Sequence, residues 1–265
     1  MAFQTIRVEG RGRVEIVTLD RPAALNALSE QLVGELGDYV CALKHRRDVR
    51  VVILRGEGRS FCAGLDIKEN RTETNETRFQ RSWRVQTQLG DVLKAMRLAP
   101  QPFIALGHGA ACGGGFSLML ASDVRFGTPD LRMNAAYIKI GLGGADIGSS
   151  YFLPRLVGAS LAAELLLTGR FIHADRALRL GLLSEVVEPE KLLDTGLALA
   201  DEMVANSPYG LSLTKQALNM NIDAPSIDSA FAIEDRQQVM LSETFDHREA
   251  MTAFVEKRPP VYQGR

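Results

Sequence analysis

Two short stretches of this 265-residue chain have the residue types and spacing that chemistry would need. One is Ser60-Phe61-Cys62-Ala63-Gly64-Leu65-Asp66-Ile67-Lys68, and the other is His108-Gly109-Ala110-Ala111-Cys112-Gly113-Gly114-Gly115. Each follows an apolar run that reads as a strand, and the second precedes a helix. Such strand-to-loop transitions expose backbone N–H groups, which are fixed partial positive charges suited to holding a negative one. Glycine lets the backbone approach a ligand with no Cβ in the way. Neither stretch is a nucleotide fingerprint. Gly113-Gly114-Gly115 does not give G-x-G-x-x-G, and no G-x-x-x-x-G-K-[ST] occurs. Tight turns with close helix packing would use the same glycines.

Other side chains have two readings each. His108 reads as a hydrogen-bonded structural histidine. Cys62 and Cys112 have no base beside them in sequence and read as small packing residues rather than nucleophiles. Tyr137 is either a proton donor to a developing charge or a core tyrosine with a satisfied hydroxyl. Glu164 reads as structural on its helix. Trp83, with Phe79 and Val85 nearby, either lines an acyl pocket or is plain core. Asp, Glu and His are scattered without ligand spacing, so no metal site is expected.

The elements that must position these residues follow from pattern. Arg13 to Leu19 is β-branched and partly alternating, a strand that ends at Asp20-Arg21-Pro22. Ser29 is an N-cap candidate with Glu30 in the first turn. The helix that follows carries Leu32, Val33, Leu36, Tyr39, Val40 and Leu43 at helical spacing. Val49 to Leu54 reads as a buried strand. Residues 68–80 read as a loop or a marginal helix start, followed by a helix from about Arg81 to Met96 that stops before Pro100 and Pro102. Phe103 to Leu106 and Val124 to Phe126 are short strands, with buried helix at Leu118 to Ala121. Helices are expected at 149–157, 159–168, 174–180, 190–205, 208–219, 226–242 and 246–257. A β-rich first half followed by a run of helices indicates α/β with a helical extension.

Composition excludes several classes. Hydrophobic residues make up 46% and charged residues 24%, with net charge −1, so bulk capture of nucleic acid or anionic membrane is not supported. Three cysteines without C-x-x-C spacing suit neither a disulfide framework nor structural zinc. Met1 to Gly10 has no apolar signal core, and no uncharged apolar run is long enough to cross a bilayer. A cytoplasmic protein is expected.

Along nearly its whole length the chain resembles the enoyl-CoA hydratase/isomerase (crotonase) superfamily. The resemblance lies in Arg21-Pro22 with Leu25-Asn26-Ala27-Leu28, Ser60 to Glu69, His108 to Gly115, Arg155 to Gly158, Leu167 to Arg170, Gly181 to Leu183 and Ala253 to Pro259. It implies a crotonase-like spiral of ββα units: an α/β core over 1–200 with the CoA site and oxyanion hole, then a helical C-terminal region over 201–265 for trimerisation, with a hexamer the default. It also implies that Leu65 and Gly114 N–H groups hold a thioester oxygen. Ala24, Ala63, Asp66 and Ile67 match positions lining the CoA channel, and Lys68 matches a cation near the CoA phosphates. Lys257 would serve likewise from a neighbouring subunit, although both lysines also read as solvated surface charges. No cofactor is implied beyond the CoA of the substrate.

The family's two acid/base glutamates fall at Ser117 and Tyr137, so neither carboxylate is present. Asp146, in Gly141 to Gly148, matches a catalytic aspartate of some isomerases and the nucleophile of a dehalogenating branch, while its place before a helix also fits a cap. The resemblance therefore favours double-bond isomerisation over hydration. Acyl-CoA hydrolysis or dehalogenation through Asp146, or a non-catalytic acyl-CoA binder, are the alternatives.

Overall fold

The computed structural model describes residues 3–68 and 75–265. Strands β1 (Ile6–Arg11) and β2 (Val14–Leu19) form an antiparallel hairpin in which Ile6 faces Leu19 and Arg11 faces Val14. Gly12 makes the tight turn with φ +62°. Sequence pattern gave no sign of β1, because its outer residues are polar and face solvent.

Helix α1 (Glu30–Leu43) returns the chain to β3 (Val51–Gly56). All six apolar positions expected on α1 are buried, and Ser29 caps it by accepting Leu32 N–H at 3.1 Å. Helix α2 (Arg78–Leu98) starts three residues before the expected Arg81. Its start is set by a reciprocal capping box between Thr77 and Gln80. Of the expected 68–80 loop, residues 69–74 lie outside the described residues.

Strand β4 (Phe103–Gly107) leads into β5 (Ala110–Cys112), so the second glycine stretch is partly strand and not all turn. Then come α3 (Gly114–Ala121), β6 (Val124–Gly127), β7 (Arg132–Asn134), α4 (Ser149–Val157) and α5 (Ala159–Thr168). Strand β8 (Ile172–His173), α6 (Ala174–Arg179) and β9 (Glu185–Val186) follow. Helices α7 (Leu192–Val204), α8 (Pro208–Asn221), α9 (Ile227–Ser242) and α10 (Phe245–Glu256) complete the chain. The main sheet has six strands in the order β1-β2-β3-β4-β6-β9, parallel from β2 onward, and a smaller sheet has the order β5-β7-β8.

Alternation along the central strands sends successive residues to two cores. Val17, Leu19, Val52, Leu54, Phe103 and Ala105 face the core under α1, α2 and α3. Val14, Ile16, Val51, Ile53, Ile104 and Leu106 face the other, closed by Leu192 and Ala200 of α7. A parallel sheet covered on both faces explains why these strands read as continuous apolar runs. Each strand end then delivers a loop to the same side of the sheet, where the two glycine stretches meet.

Candidate functional site

The two glycine stretches are laced together by backbone. Cys62 pairs with Ala111 in a parallel bridge: Cys62 N–H donates to Ala110 O at 3.0 Å, and Cys112 N–H to Cys62 O at 2.9 Å. A second parallel bridge joins Leu28 to Leu65, with Leu28 N–H on Gly64 O at 2.8 Å and Asp66 N–H on Leu28 O at 3.1 Å. In that pattern the flanking groups face the partner, so the N–H of Leu65 itself points away from it.

Close approach explains the glycines. A Cβ on Gly64 would lie 2.8 Å from Cys112 O, and one on Gly115 would lie 2.4 Å from Cys62 O. Gly113 sits at φ +49°, ψ −117°, a conformation for glycine alone, and donates its N–H to Asn134 O at 2.9 Å. Gly114 therefore opens α3 with a first-turn N–H that the helix cannot pair. Among the described residues no backbone carbonyl accepts the N–H of Leu65 or of Gly114. Each lies one residue past the point where Gly64 and Gly113 touch.

Three elements close around these donors. A Cβ on Gly114 would meet Leu28 Cδ1 at 2.5 Å, with Leu89 Cδ2 of α2 and Ile147 Cδ1 each at 3.4 Å. The Tyr137 ring stands 3.6 Å from where Gly113 would carry a Cβ. Tyr137 OH and Ser117 Oγ, both buried, are 3.2 Å apart. Burial pushes the Tyr137 hydroxyl up; Ser117 and Ser149 pull it back, and the charge of Asp146 raises it further. Ser149 is fully buried and also accepts Asp146 N–H at 3.1 Å.

Asp146 is half-buried and does not cap α4, contrary to one of its two readings. Gly148, in the left-handed region at φ +81°, is the N-cap, and no side chain caps the helix. Asp146 Oδ1 instead accepts Ile147 N–H at 2.8 Å and contacts Gln86 Nε2 of α2. Ile147 has φ +34°, rare for a β-branched residue, and such strain costs about 1–3 kcal/mol.

The positions matched to CoA binding divide. Ala24 ends a short 3-10 turn at Pro22–Ala24, and Ala63 N–H donates to Leu25 O at 3.0 Å, so Ala24, Ala63, Asp66, Ile67 and Lys68 fall along one rim beside Leu65. Asp66 is ion-paired with Arg21 at 2.9 Å and its Oδ1 accepts Lys68 N–H at 3.1 Å, so it orders the rim from within. Ile67 and Lys68 are exposed. Lys257 is the exposed C-cap of α10 at φ +54°.

Of the remaining candidates, His108 Nε2 bonds Gly58 O at 2.8 Å, and burial lowers its pKa. Burial lifts the Cys62 thiol to about 12 and raises that of Cys112, so neither is an activated nucleophile. Glu164 is held by Arg176 and Arg170. Trp83 is not core: it is 64% exposed and stacked on Phe79 at 6.1 Å. Among the described residues no group of His, Cys, Asp or Glu is placed to hold a metal ion. No helix is long and apolar enough to cross a membrane among those residues.

Sequence reasoning missed Gln86, Ser149 and Ile147. Gln86 is one polar residue among many on α2, and only the fold brings it to a carboxylate 60 positions away. The glycines at 143, 144 and 148 were the available sign that the loop between them is sharply bent.

The enoyl-CoA hydratase/isomerase family model matches residues 9–265. The short-chain-enoyl-CoA hydratase of Clostridium acetobutylicum is 36% identical over 260 residues, covering 97% of both chains. The 1,2-epoxyphenylacetyl-CoA isomerase of Escherichia coli is 29% identical over 252 residues, covering 95% of both. The crystal structure of an enoyl-CoA hydratase from Bacillus anthracis superposes with a TM-score of 0.93 at 30% identity, covering 99% of this chain and 100% of that one. This chain belongs to the enoyl-CoA hydratase/isomerase family and has the crotonase fold.

Proposed function

We propose that this protein isomerises the double bond of an enoyl-CoA thioester, with Asp146 moving the proton and Leu65 and Gly114 N–H holding the thioester oxygen. The observation that carries the reading is the site's acid/base content. The two positions where relatives would place glutamates hold a buried hydroxyl pair, Ser117 and Tyr137, whereas a carboxylate, that of Asp146, is held by the N–H of Ile147, whose side chain packs at Gly114. Water addition needs one group to activate water and another to protonate carbon. Isomerisation needs only one carboxylate that can act twice.

In the proposed cycle a 3-enoyl-CoA binds with its carbonyl on the two N–H groups. The Asp146 carboxylate takes a proton from C2, the C2–H electron pair becomes the dienolate, and the negative charge rests on the thioester oxygen. Fixed donors in a dry site make that charge tolerable, and losing one such donor costs about 2.7–4 kcal/mol in related chemistry. The same carboxyl group then returns the proton to C4, the carbonyl re-forms, and the double bond lies between C2 and C3. Tyr137, kept protonated by burial, supplies a neutral hydrogen-bond donor beside the reacting carbons.

Ala24, Ala63, Asp66, Ile67 and Lys68 form the CoA rim in this reading. Lys257 reaches CoA from a neighbouring copy in a homotrimer or a hexamer of two trimers. The reading calls for no cofactor beyond the CoA ester. Free Cys41, Cys62 and Cys112 support a cytoplasmic setting.

The test is conversion of 3-enoyl- to 2-enoyl-CoA, read together with solvent deuterium exchange at C2 and C4. Asp146→Asn is expected to lower isomerisation, and any exchange that accompanies it, by about 10²–10⁴-fold while retaining CoA-ester binding. Exchange that survives in this variant sinks the assignment. Binding with neither isomerisation nor exchange in the parent protein points to a non-catalytic acyl-CoA binder. Release of free CoA instead points to hydrolysis through the same carboxylate.

A further inference from the structure

Asp146 is tethered on one side only. Oδ1 is shared between the Ile147 N–H at 2.8 Å and the side-chain amide of Gln86, while Oδ2 has no hydrogen-bond donor among the described residues. The two tethers differ in kind. Ile147 is the next residue and moves with the loop. Gln86 comes from α2, and is the contact that fixes the carboxylate relative to the rest of the site.

Helix α2 is suited to that task. Leu89 lies one turn after Gln86, on the same stripe of the helix, and packs 3.4 Å from the Cβ position of Gly114. One helix face therefore touches both the proposed oxygen-holding glycine and the proposed base. The helix is set in rotation by two arginines on Glu30 of α1: Arg81 Nε at 2.7 Å from Oε1 and Arg84 Nη2 at 3.1 Å from Oε2. A capping box fixes its start. A side chain projecting from such a helix can hold a loop carboxylate in one orientation.

We infer that Gln86 is a positioning residue for proton transfer, holding Asp146 Oδ1 so that Oδ2 alone faces the substrate and carries the proton between C2 and C4. This deepens the proposed isomerisation and rests on Asp146 being its base. An amide suits the task for a physical reason. It donates a hydrogen bond without adding charge, whereas lysine or arginine would hold the carboxylate in an ion pair, and glutamate would repel it. Among the described residues Tyr137 is a second titratable group that senses the carboxylate, and it stays neutral through burial. The cations nearest along α2, Arg81 and Arg84, are engaged by Glu30 and Glu76.

Orientation should show in where the proton goes as well as in rate. A carboxyl group held in place returns the proton it has taken, whereas a freely turning one exposes that proton to water before C4 is reached. Misplacing a reacting group by about 1 Å costs on the order of 10²-fold in rate.

The experiment uses the full-length protein with 3-enoyl-CoA carrying deuterium at C2, and reads kcat, KM and the fraction of label delivered to C4 by NMR. Parent, Gln86→Leu, Gln86→Glu and Asp146→Asn are compared. Because Gln86 is exposed, its replacement leaves the core intact, and a thermal melt checks this. Gln86→Leu is expected to lower kcat roughly 10- to 100-fold with KM within about twofold, and to replace most of the C4 label by solvent hydrogen. Gln86→Glu is expected to fall further. Parent-like kcat and label transfer in Gln86→Leu, with Asp146→Asn inactive, overturns the Gln86 role alone. A change confined to KM also overturns it, since Gln86 would then be a binding residue. Activity retained in Asp146→Asn overturns both this inference and the reading beneath it.

Discussion

Ser117, Tyr137 and Ser149 bring three hydroxyls to one buried spot, and what they do depends on which holds its proton. Burial keeps the Tyr137 hydroxyl above its ordinary value of 10, so it is a neutral donor throughout the neutral range. It cannot act as a base there, and activity should show no inflection from Tyr137 as pH rises toward 10. Tyr137→Phe keeps the ring against Gly113 but leaves Ser117 and Ser149 with one partner fewer. The expected outcome is a loss of about 1–3 kcal/mol in stability from the unpaired hydroxyls, read by urea titration. A fall in kcat larger than any change in CoA-ester affinity should accompany it. An equal loss in both would make Tyr137 structural only. Tyr137 and Asp146 were visible as candidates in the sequence because the family resemblance matches each to an acid/base position. It did not show Ser149 or Gln86, whose roles come from three-dimensional contact with no spacing of their own.

At the scale of elements, legibility followed the strength of the local pattern. α1 could be read down to its cap, since six apolar residues at helical spacing all pack into one core. Strands β5, β7, β8 and β9 are two or three residues long, too short to show alternation, and exist because neighbouring backbone supplies partners. The C-terminal tail was equally invisible. It folds back on α10: Asp246 accepts Gln263 N–H at 2.7 Å and Gly264 N–H at 2.9 Å, while Glu249 holds Arg258 and accepts Val261 N–H at 2.8 Å. The Arg258 guanidinium, helped by Val261 N–H, brings the Glu249 carboxyl from 4.5 down to about 2. A folded value below the unfolded one means that this tie is fully present above pH 4.5 and is lost as pH falls toward about 2. Amide exchange at Val261 should therefore speed up across that window before the core opens, and Arg258→Ala should move the onset to higher pH. Protection of Val261 that is indifferent to pH and to Arg258 would show that the clasp does not hold the tail.

On the scale of the whole molecule, the last two helices are poorly explained by one chain. None of the 16 residues of α9 is buried. Among the exposed residues on α9 and α10 are Ile227, Phe231, Val239, Met240, Met251, Phe254 and Val255, with Phe254 81% exposed. Helices owe most of their stability in proteins to packing of an apolar face, and contiguous exposed apolar surface marks an interaction site. A second copy of the chain is the occupant our functional reading calls for, because that reading assigns Lys257, the exposed C-cap of α10, to the CoA ester of a neighbouring copy. Light scattering should give a mass three times that of the chain, or six times if trimers stack. Phe254→Glu should lower that mass by placing a charge in the contact. Lys257→Ala then separates assembly from catalysis. It should raise KM for the CoA ester several-fold in the assembled protein while leaving the mass unchanged, and should have no effect in the Phe254→Glu background. A parent protein that runs as a monomer, or a Lys257→Ala effect that persists once assembly is broken, would remove the neighbouring copy from the site.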